Sequence, residues 1–455
     1  MPSRSELRVV LTLGVGGPLQ SGQRAIGPGL QDVFPVIKEI QIENFKSIKK
    51  MKLELGRINV FIGENGSGKS NILEAIALAG AAAAEKLDNE FLAARGIRAT
   101  EPRHMRSALQ TASAENKIVV AVKARDEEAF EFDLRHDEKP YSSWKLERKT
   151  DTKISVEGEQ LVVFLEALLA NRRTALERVT GENSELLRAE IRELESYLDD
   201  ARNPNIEGDP ANKLQLRMTG PVFPYSGSSR RSGLASIREF LIYSPENSSL
   251  RMFQREGQIE PLGINGEGLF KFLQVLDSDQ QHAGVVKNIS MRLRLLDWYV
   301  DLQVPSADTS HTNSIEISDR YLSVESGTLN QVSSNEGFLF LLFYFSLFST
   351  QLTPAFFAID NVDASLNPKL CAHLVSELAT LARDNGKQAI LTTHNPATLD
   401  GLDLNDDDQR LFVISRNEEG ETRIKRIQQK EGRASTMKLS AAFIDGYLGG
   451  LPKNF

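Results

Sequence analysis

The feature that most constrains the fold is the octapeptide Gly-Glu-Asn-Gly-Ser-Gly-Lys-Ser at residues 63–70. It matches the phosphate-loop pattern G-x-x-x-x-G-K-[ST] at every defined position. An apolar, β-branched run at 58–62 precedes it and residues with a helical pattern follow at 71–78, which predicts a strand, a glycine loop and a helix in succession. Backbone N–H groups and a helix N-terminus then surround an anion. The sequence therefore predicts a site for a nucleoside triphosphate.

Two side chains of this loop have specific expected roles. Lys69 is placed to reach the β- and γ-phosphates, and the Ser70 hydroxyl is placed to ligate Mg²⁺. We therefore expect ATP and Mg²⁺ as cofactors. The predicted nucleotide-binding residues of the loop and its helix are Gly63, Glu64, Asn65, Gly66, Ser67, Gly68, Lys69, Ser70 and Asn71.

Composition bounds the remaining possibilities. The length of 455 residues favours two or three domains. The single cysteine, Cys371, suits a reducing cytoplasm, and the net charge of −8 gives no overall attraction to nucleic acid. The longest apolar run, residues 338–348, is shorter than the roughly twenty residues that span a bilayer. We expect a cytoplasmic protein with no membrane partner, in which this run forms a buried, aromatic-rich helix.

The chain divides into four predicted segments. Residues 1–35, rich in Gly, Pro and Ser, are expected to be a flexible extension. Residues 36–157 carry the phosphate loop and then alternating strands, which suggest an antiparallel β-subdomain. In 158–235 the period becomes helical, with a short heptad seam at Leu187, Ile191, Leu194 and Leu198, and a Pro-, Gly- and Ser-rich loop follows at 203–235. Residues 236–455 return to alternating strands and helices.

The helical segment has two interpretations. It is either a hairpin that packs on its own domain, or a projecting arm that binds a partner or another copy, and the second is favoured slightly.

Three further segments carry predicted site residues. Asp360 ends an apolar strand, where a carboxylate opposite Ser70 would coordinate Mg²⁺. His394 ends another apolar strand at 388–393, and ligands of α/β sheets bind at the carboxyl ends of strands. A serine-led sequence opens the aromatic helix, where a helix start favours an anion. Its residues are Ser333, Ser334, Asn335, Glu336 and Gly337.

The residues ahead of the loop, Ile40-x-Ile42-x-Asn44-Phe45-Lys46-Ser47, resemble the opening of ATP-binding-cassette (ABC) ATPases of the SMC, Rad50 and RecF type. The resemblance implies an α/β fold in which a mixed central sheet is flanked by helices, with an antiparallel β-subdomain and a short inserted helical or coiled-coil arm. Residues 36–157 and 236–455 would be the two lobes of the ATPase. Lys46 and Ser47 would lie near the nucleotide, although Lys46 as a solvated strand-end lysine remains an equal alternative.

The same resemblance implies roles around the phosphates. Two copies would clasp ATP, with the helix start at Ser333, Ser334, Asn335 and Gly337 binding the γ-phosphate held by the partner; the alternative is an ordinary helix cap. Asp360 would hold Mg²⁺ and His394 would face the γ-phosphate. Asn361 stands where the class usually has the catalytic Glu, and an amide cannot take a proton. Hydrolysis is therefore expected to be slow, unless Glu336 of a partner acts as the base.

Within this class, the chain most resembles AAA_21-like ATPases of bacterial anti-phage systems. The resemblance lies in the short arm, in Ser-Asn-Glu-Gly at residues 334–337 and in Asp-Asn-Val-Asp at residues 360–363. The ATPase subunit of PARIS-type systems is the nearest in pattern, with Septu-type ATPases close behind. This implies an ATP-dependent oligomer, at least a dimer and up to a hexamer, that restrains a separate effector such as a TOPRIM-type nuclease until a phage protein triggers it.

Two alternative functions remain. One is a RecF- or SMC-like repair ATPase that binds duplex DNA, which is not favoured. The other is the nucleotide-binding subunit of a transporter.

Overall fold

The computed structural model describes residues 8–12, 37–107, 109, 117–124, 128–139, 142–157, 213–220, 233–253, 255–282, 284–304, 314–323, 327–428 and 437–450, and part of the helical segment between 162 and 199. The chain forms two compact units. The smaller comprises Met1–Gly27, Glu127–Ala129 and Arg148–Pro224, and the larger comprises Pro28–Asp126, Phe130–Glu147 and Tyr225–Phe455. All of the predicted site residues belong to the larger unit.

The described elements are named in chain order. The strands are β1 (Arg8–Thr12), β2 (Ile37–Phe45), β3 (Ile48–Glu54), β4 (Ile58–Ile62), β5 (Lys117–Ala124), β6 (Ala129–Arg135), β7 (Lys145–Glu157), β8 (Lys213–Gly220), β9 (Ile242–Tyr243), β10 (Tyr299–Gln303), β11 (Glu316–Asp319), β12 (Phe356–Ile359), β13 (Gln388–Thr393), β14 (Gln409–Arg416) and β15 (Thr422–Ile427). The helices are α1 (Lys69–Ala83), α2 (Asn89–Ala94), α3 (Pro102–Met105), α4 (Gly233–Arg238), α5 (Asn247–Leu250), α6 (Leu269–Ser278), α7 (Val285–Leu293), α8 (Glu336–Phe348), α9 (Pro368–Asp384) and α10 (Leu439–Ile444), with a 3-10 segment at Pro396–Gly401.

A mixed six-stranded sheet organises the larger unit, in the order β15-β14-β4-β13-β12-β9. Strand β4 pairs in parallel with β13 and β14, β12 pairs in parallel with β13 and β9, and β15 returns antiparallel to β14. Parallel strands end at the same edge of a sheet. The loop after β4, Asp360 after β12 and His394 after β13 therefore meet at one edge, as the sequence predicts.

The central sheet is covered on both faces, which explains why β12 is a continuous apolar run and β4 is apolar apart from the buried Asn59. Ile58, Val60 and Ile62 face a core built with α8 and α9. Phe61, between them in the chain, faces a second core built with α1 and the antiparallel sheet. The alanine-rich composition of α1 suits this position, because small side chains allow a helix to be buried on nearly every side.

Helix α8 is the buried aromatic helix that the sequence predicts. Its residues from Gly337 to Phe348 are all buried, and a helix that is apolar all round belongs in a core. Among the described helices, none is both long and apolar enough to cross a membrane.

The larger unit also contains antiparallel strands in the order β6-β5-β2-β3, the location of the predicted β-subdomain. The β2–β3 turn is tight, with left-handed backbone at Asn44 (φ 59°) and Lys46 (φ 47°). The Asn44 side chain stabilises it by donating to the Lys117 carbonyl at 2.7 Å. The turn places Lys46 beside Glu74 of α1 and Ser47 beside Asn71 of the same helix. These features give the chain the α/β fold of ABC-type P-loop ATPases.

In the smaller unit, β8 pairs antiparallel with both β1 and β7. The helical arm is described at scattered positions, where Leu165, Leu169, Ile191, Leu194 and Leu198 are buried. Arg173 donates to Glu195 at 2.6 Å, so two helical stretches approach each other side by side. Three predicted seam residues are therefore buried, while Leu187 lies outside the described residues.

Two strands lie where the sequence analysis expects no regular structure. Strand β1 falls within residues 1–35 and β8 within the 203–235 loop. The sequence of β8, Lys-Leu-Gln-Leu-Arg-Met-Thr-Gly, does alternate polar and apolar residues, a strand signal that its Pro- and Gly-rich surroundings obscure. The two strands pair across about two hundred residues of chain, which local pattern cannot reveal. The rest of residues 1–35 lies outside the described part of the chain.

Candidate functional site

The phosphate loop needs its glycines for both conformation and space. Gly66 (φ 76°) and Gly68 (φ 106°) have left-handed backbone. A Cβ on Gly68 would lie 2.1 Å from Thr422 Oγ1, and one on Gly63 would lie 2.0 Å from the Ile414 carbonyl oxygen. Gly68 also begins α1 as its N-cap. A side chain at Gly63 or Gly68 would push the loop off β14 or β15, so the residues present fit a phosphate-binding cradle.

Lys69 lies under this loop and is 5% exposed. Its Nζ donates to the carbonyls of Gly63 at 2.9 Å and Glu64 at 3.0 Å. Burial lowers the pKa of Lys69 to about 8, against the opposing influence of the charges of Asp360, Asp363 and Glu64. The ammonium group is therefore held at the loop by carbonyl acceptors and by carboxylates, close to where phosphate is expected.

This lowered pKa predicts a pH dependence of nucleotide binding. A bound polyphosphate stabilises the protonated lysine, so binding above the free-state pKa of about 8 requires proton uptake. We expect the affinity for ATP to be flat from pH 7 to 7.5 and to fall by up to roughly tenfold per pH unit above 8, since one pKa unit corresponds to about 1.4 kcal/mol. Phosphate ionises near pH ~6 and does not confound this window.

Titration of ATP binding at constant ionic strength between pH 7 and 9.5 measures this dependence. Lys69→Met, which cannot titrate, is the control and should bind weakly with a flat profile. A wild-type profile that stays flat to pH 9.5 contradicts the prediction.

The predicted metal residues, Ser70 and Asp360, are adjacent. Ser70 Oγ donates to Asp360 Oδ2 at 3.3 Å, and Thr392 Oγ1 donates to the other carboxylate oxygen. The Asp360 backbone N–H donates to the Tyr243 carbonyl at 2.8 Å, which fixes the end of β12 against β9. A hydroxyl and a carboxylate oxygen side by side are the hard ligands that Mg²⁺ prefers, so this pair fits the expected ion. Thr392, which orients the carboxylate, is a residue that sequence reasoning did not identify.

Asn361 follows Asp360 with its side chain exposed and its backbone left-handed (φ 55°). Asn tolerates this conformation better than most residues, which gives a local reason for an amide here. Its N–H donates to Thr392 Oγ1 at 2.9 Å. An exposed amide at this position can hydrogen-bond a water but cannot accept its proton.

His394 lies beside Asp363 and Lys69. Its backbone N–H is 3.4 Å from Asp363 Oδ1. Partial burial, together with the nearby charge of Lys69, lowers the pKa of His394 below its usual value, against the opposing charges of Asp363 and Asp360. The imidazole is therefore neutral near pH 7, with one donor and one acceptor nitrogen. The structure thus brings together Lys69, Ser70, Asp360 and His394, four of the residues predicted from separate segments.

The predicted residues of the β2–β3 turn support the loop. Thr422 of β15 connects them: its hydroxyl is 2.6 Å from Ser47 Oγ and donates to the Ser67 carbonyl at 3.1 Å. Asn71 donates to Ser47 Oγ at 2.7 Å. The Ser67 side chain is itself buried, and its hydroxyl has no partner among the described residues. Ser47, Asn71 and Ser67 therefore have side chains engaged in or enclosed by the framework of the loop, and sequence reasoning missed Thr422.

Lys46 forms an ion pair with Glu74, a carboxylate on α1 that is only 2% exposed. Arg98 completes the charge balance, with its Nε 2.5 Å from Glu74 Oε1 and its Nη2 3.2 Å from Asn71 Oδ1. The buried Glu74 carboxylate needs both cations, because removing a partner would leave it as an uncompensated charge. Through Lys46 this ion pair joins the β2–β3 turn to the helix that begins at the loop. Lys46 is thus neither a solvated strand-end lysine nor, in its described contacts, directed at the loop itself.

Some of the predicted residues at the start of α8 are exposed and others are buried. Ser333 and Asn335 are exposed, and Asn335 caps α8 by accepting from the Phe338 N–H at 3.3 Å. Ser334 is 4% exposed, and its hydroxyl donates to the Gln331 carbonyl at 3.1 Å. The Ser334 hydroxyl therefore closes the turn from within, and binding of a nucleotide by this helix start stays a prediction.

The other two predicted residues of this segment face their own chain. Glu336 Oε1 accepts from Ser365 Oγ at 2.6 Å, in the loop that follows Asp360. Gly337 is buried, and a Cβ there would lie 3.3 Å from the Ser365 carbonyl oxygen. The start of α8 and the loop after β12 are therefore in direct contact within one chain.

Comparison with known families gives a match over most of the chain. A family model described as "AAA domain, putative AbiEii toxin, Type IV TA system" matches residues 58–400. This span contains the phosphate loop, Asp360, the start of α8 and His394.

Curated relatives match over shorter segments. DNA replication and repair protein RecF of Caldanaerobacter subterraneus subsp. tengcongensis is 41% identical over 71 residues, 13% of this chain and 20% of that protein. RecF of Clostridioides difficile is 46% identical over 41 residues, 9% of this chain and 11% of that protein. An uncharacterized protein of Methanocaldococcus jannaschii is 52% identical over 44 residues, 10% of this chain and 20% of that protein. The chain thus spans at most 20% of the length of these relatives.

Solved structures of SMC heads are also similar. The SMC head domain from Thermotoga maritima is 14% identical, with a TM-score of 0.40, covering 86% of this chain and 99% of that one. An SMC head bound to the C-winged helix domain of ScpA is 14% identical, with a TM-score of 0.46, covering 87% of this chain and 98% of that one.

Proposed function

The chain belongs to the family described as "AAA domain, putative AbiEii toxin, Type IV TA system", and we propose that it is an ATP-binding switch with slow hydrolysis. Two copies clasp ATP between the phosphate loop of one and the start of α8 of the other. The ATP-bound assembly is a scaffold that holds a separate effector and releases it when triggered. The observation that carries this proposal is the combination of a complete phosphate and metal site with an amide, Asn361, at the base position.

We assign each of the site residues a separate role. The N–H groups of the loop and Lys69 bind the phosphates of the substrate, and Ser70 and Asp360 would hold Mg²⁺, which when bound neutralises phosphate charge. His394 is neutral and supplies a hydrogen-bond donor or acceptor at the same edge. Asn361 can orient a water through its amide. Because the residue directly after Asp360 is an amide and not a carboxylate, deprotonation of that water is the step expected to limit turnover.

A carboxylate at position 361 tests this explanation of slow turnover. Asn361→Glu is expected to raise kcat by roughly 10- to 100-fold, near the lower range of general-base catalysis. The matched control is Asn361→Gln, which has the same length and the same unfavourable left-handed backbone but no basic oxygen. Steady-state phosphate release is the measurement. Equal rates for the Glu and Gln variants, or a fast wild type that Asn361→Gln leaves unchanged, would remove the switch proposal.

The effector role is supported by the family description, which includes a putative AbiEii toxin and a type IV toxin–antitoxin system. We propose a role in anti-phage defence in which the effector, such as a TOPRIM-type nuclease, is on a separate polypeptide and a phage protein is the trigger. Co-purification of this chain with the products of neighbouring genes, in Mg·ATP and without nucleic acid, tests the scaffold. An ATP-dependent protein partner is the supporting result.

A second candidate function is favoured by the matches to RecF, a protein named for DNA replication and repair. In this alternative the ATP-bound dimer binds duplex DNA. Such binding must weaken steeply with salt, because it releases counterions from the phosphates. Tight, salt-sensitive binding of duplex DNA in Mg·ATP, with no protein partner, would favour this candidate over the scaffold.

A further inference from the structure

The exposed turn before α8, residues 330–335, is built from backbone groups that its own side chains only partly satisfy. Asn330 Oδ1 accepts from the N–H groups of Val332 and Ser333, each at 2.9 Å. The Ser334 N–H donates to the Asn330 carbonyl at 2.9 Å. These bonds satisfy three backbone N–H groups of the turn. The Gln331 carbonyl accepts from the Ser334 hydroxyl at 3.1 Å and also takes a donor from outside the turn, as do the carbonyls of Val332 and Ser334.

One guanidinium supplies those donors. Arg251 Nη1 donates to the Gln331 carbonyl at 2.7 Å and to the Val332 carbonyl at 2.6 Å, and Nη2 donates to the Ser334 carbonyl at 3.1 Å. Its Nε donates to Asn247 Oδ1 at 2.9 Å, which fixes the plane of the fork. A planar fork of five donors can bind several oxygens in fixed directions, whereas the ammonium of a lysine cannot reproduce that geometry.

Arg251 is anchored to the edge of the nucleotide site. Strand β9 ends at Tyr243, whose carbonyl accepts from the Asp360 N–H. The following segment is fastened to the 263–268 loop, since the N–H groups of Ser244 and Glu246 donate to the carbonyls of Ile264 and Asn265, both at 2.8 Å. Helix α5 then leads directly to Arg251. A short, hydrogen-bonded path therefore joins the end of the metal-site strand to the turn.

We propose that Arg251 is a positioning residue that holds the 330–335 turn in the conformation in which it contacts a second copy of this chain. This inference rests on the proposed ATP-bound dimer. Val332, 68% exposed, and the exposed Ser333 and Asn335 form the outer face of the turn. Their placement depends on the three carbonyls behind them. The described contacts of Arg251 are with Asn247 and this turn, so it acts by setting the surface offered to the other copy.

The turn is half-exposed, so water can replace the guanidinium at these carbonyls. Loss of Arg251 is therefore expected to loosen the turn without unfolding the protein. The expected signature is specific: nucleotide affinity of the monomer within twofold of wild type, but ATP-dependent self-association weakened at least tenfold. A general folding defect would lower both.

The test compares the full-length chain with Arg251→Lys, which keeps the charge but not the fork, and with Arg294→Lys, an exposed arginine at the end of α7, as the control. Sedimentation velocity in Mg·ATP measures association, and a fluorescent ATP analogue at low protein concentration measures nucleotide binding. Hydrogen exchange without nucleotide measures protection of the Val332 and Ser333 amides. We expect Arg251→Lys to increase exchange there at least fivefold and to weaken association, with Arg294→Lys unchanged in both.

The readouts separate the inference from the proposed function. Unchanged exchange at Val332 and Ser333 in Arg251→Lys overturns the positioning role, whether or not the protein dimerises. Increased exchange with full association also overturns it, because the turn would then not need Arg251 to meet its partner. A wild type that remains monomeric in Mg·ATP instead sinks the proposed dimer. If Arg251→Lys misfolds, Asn247→Ala, which removes only the Nε acceptor, must give a smaller change in the same direction.

Discussion

Lys69→Ala is expected to weaken binding of Mg·ATP by roughly 100-fold or more. The ammonium is buried among loop carbonyls and near the carboxylates of Asp360, Asp363 and Glu64, where a charge-assisted hydrogen bond to phosphate contributes about 1.5–3 kcal/mol. Removing it also leaves the charges of Asp360 and Asp363 unopposed next to a polyanion. A total of roughly 3 kcal/mol from these two effects corresponds to a factor of about 100 in affinity, since each 1.4 kcal/mol is a factor of about ten.

The same variant should not be less stable than the wild type. Burial disfavours the charged form of Lys69 strongly enough to lower its pKa to about 8, so the side chain is held at a cost to the folded state. We therefore expect an unchanged or higher Tm together with lost binding. Lys425→Ala, which removes an exposed lysine from β15, is the control for charge and should bind normally. Binding of Lys69→Ala within threefold of wild type would contradict the assignment of the loop.

The parts of the site that could be predicted from sequence are those in which one short segment determines its own geometry. The phosphate loop is such a segment, because its glycines and the following helix define the backbone locally. Asp360 and His394 were predictable for a related reason: each directly follows a buried apolar strand, and parallel pairing then brings the strand ends together. The central sheet and the buried helix α8 follow from the same apolar runs.

The supporting contacts could not be predicted, because they join residues that are distant in the chain. Thr422 reaches Ser47 and the loop across more than three hundred positions, and nothing in the local sequence of β15 marks it. Glu74 did carry a signal, as the one charged residue in the apolar stretch 72–78, but its partners Lys46 and Arg98 come from other segments. The turn that exposes Ser333 and buries Ser334 is held in part by Arg251, a residue about eighty positions away, so local sequence does not reveal which serine is exposed.

Replacement of Asp360, the predicted Mg²⁺ ligand, should give the second large effect. It should abolish the gain in ATP affinity that Mg²⁺ provides, but it should not weaken the binding of ATP without Mg²⁺. Ser70 and Thr392 donate to different oxygens of the Asp360 carboxylate, so Asp360→Asn keeps one of these acceptors, replaces the other by an amide nitrogen and loses the charge. We expect the Mg²⁺-dependent gain in ATP affinity to disappear and turnover to fall by roughly 100- to 1,000-fold, since metal stabilisation of phosphate charge amounts to several kcal/mol. ATP in EDTA should bind at least as tightly as to wild type, because a negative charge near the phosphates has been removed.

Among the charges that raise the pKa of Lys69, that of Asp360 has the largest influence. The Asp360→Asn variant therefore has a second readout. Without that carboxylate the pKa of Lys69 falls further below 8, and the decline of ATP affinity should begin at lower pH than in wild type. Asp363→Asn is the matched control: it removes another charge that acts on Lys69 but not a metal ligand, so it should shift the pH profile while retaining the response to Mg²⁺. If Asp360→Asn and Asp363→Asn respond equally to Mg²⁺, the ion is not held by Asp360. If neither shifts the pH profile, Lys69 is not the group that titrates, and both arguments from its burial fail together.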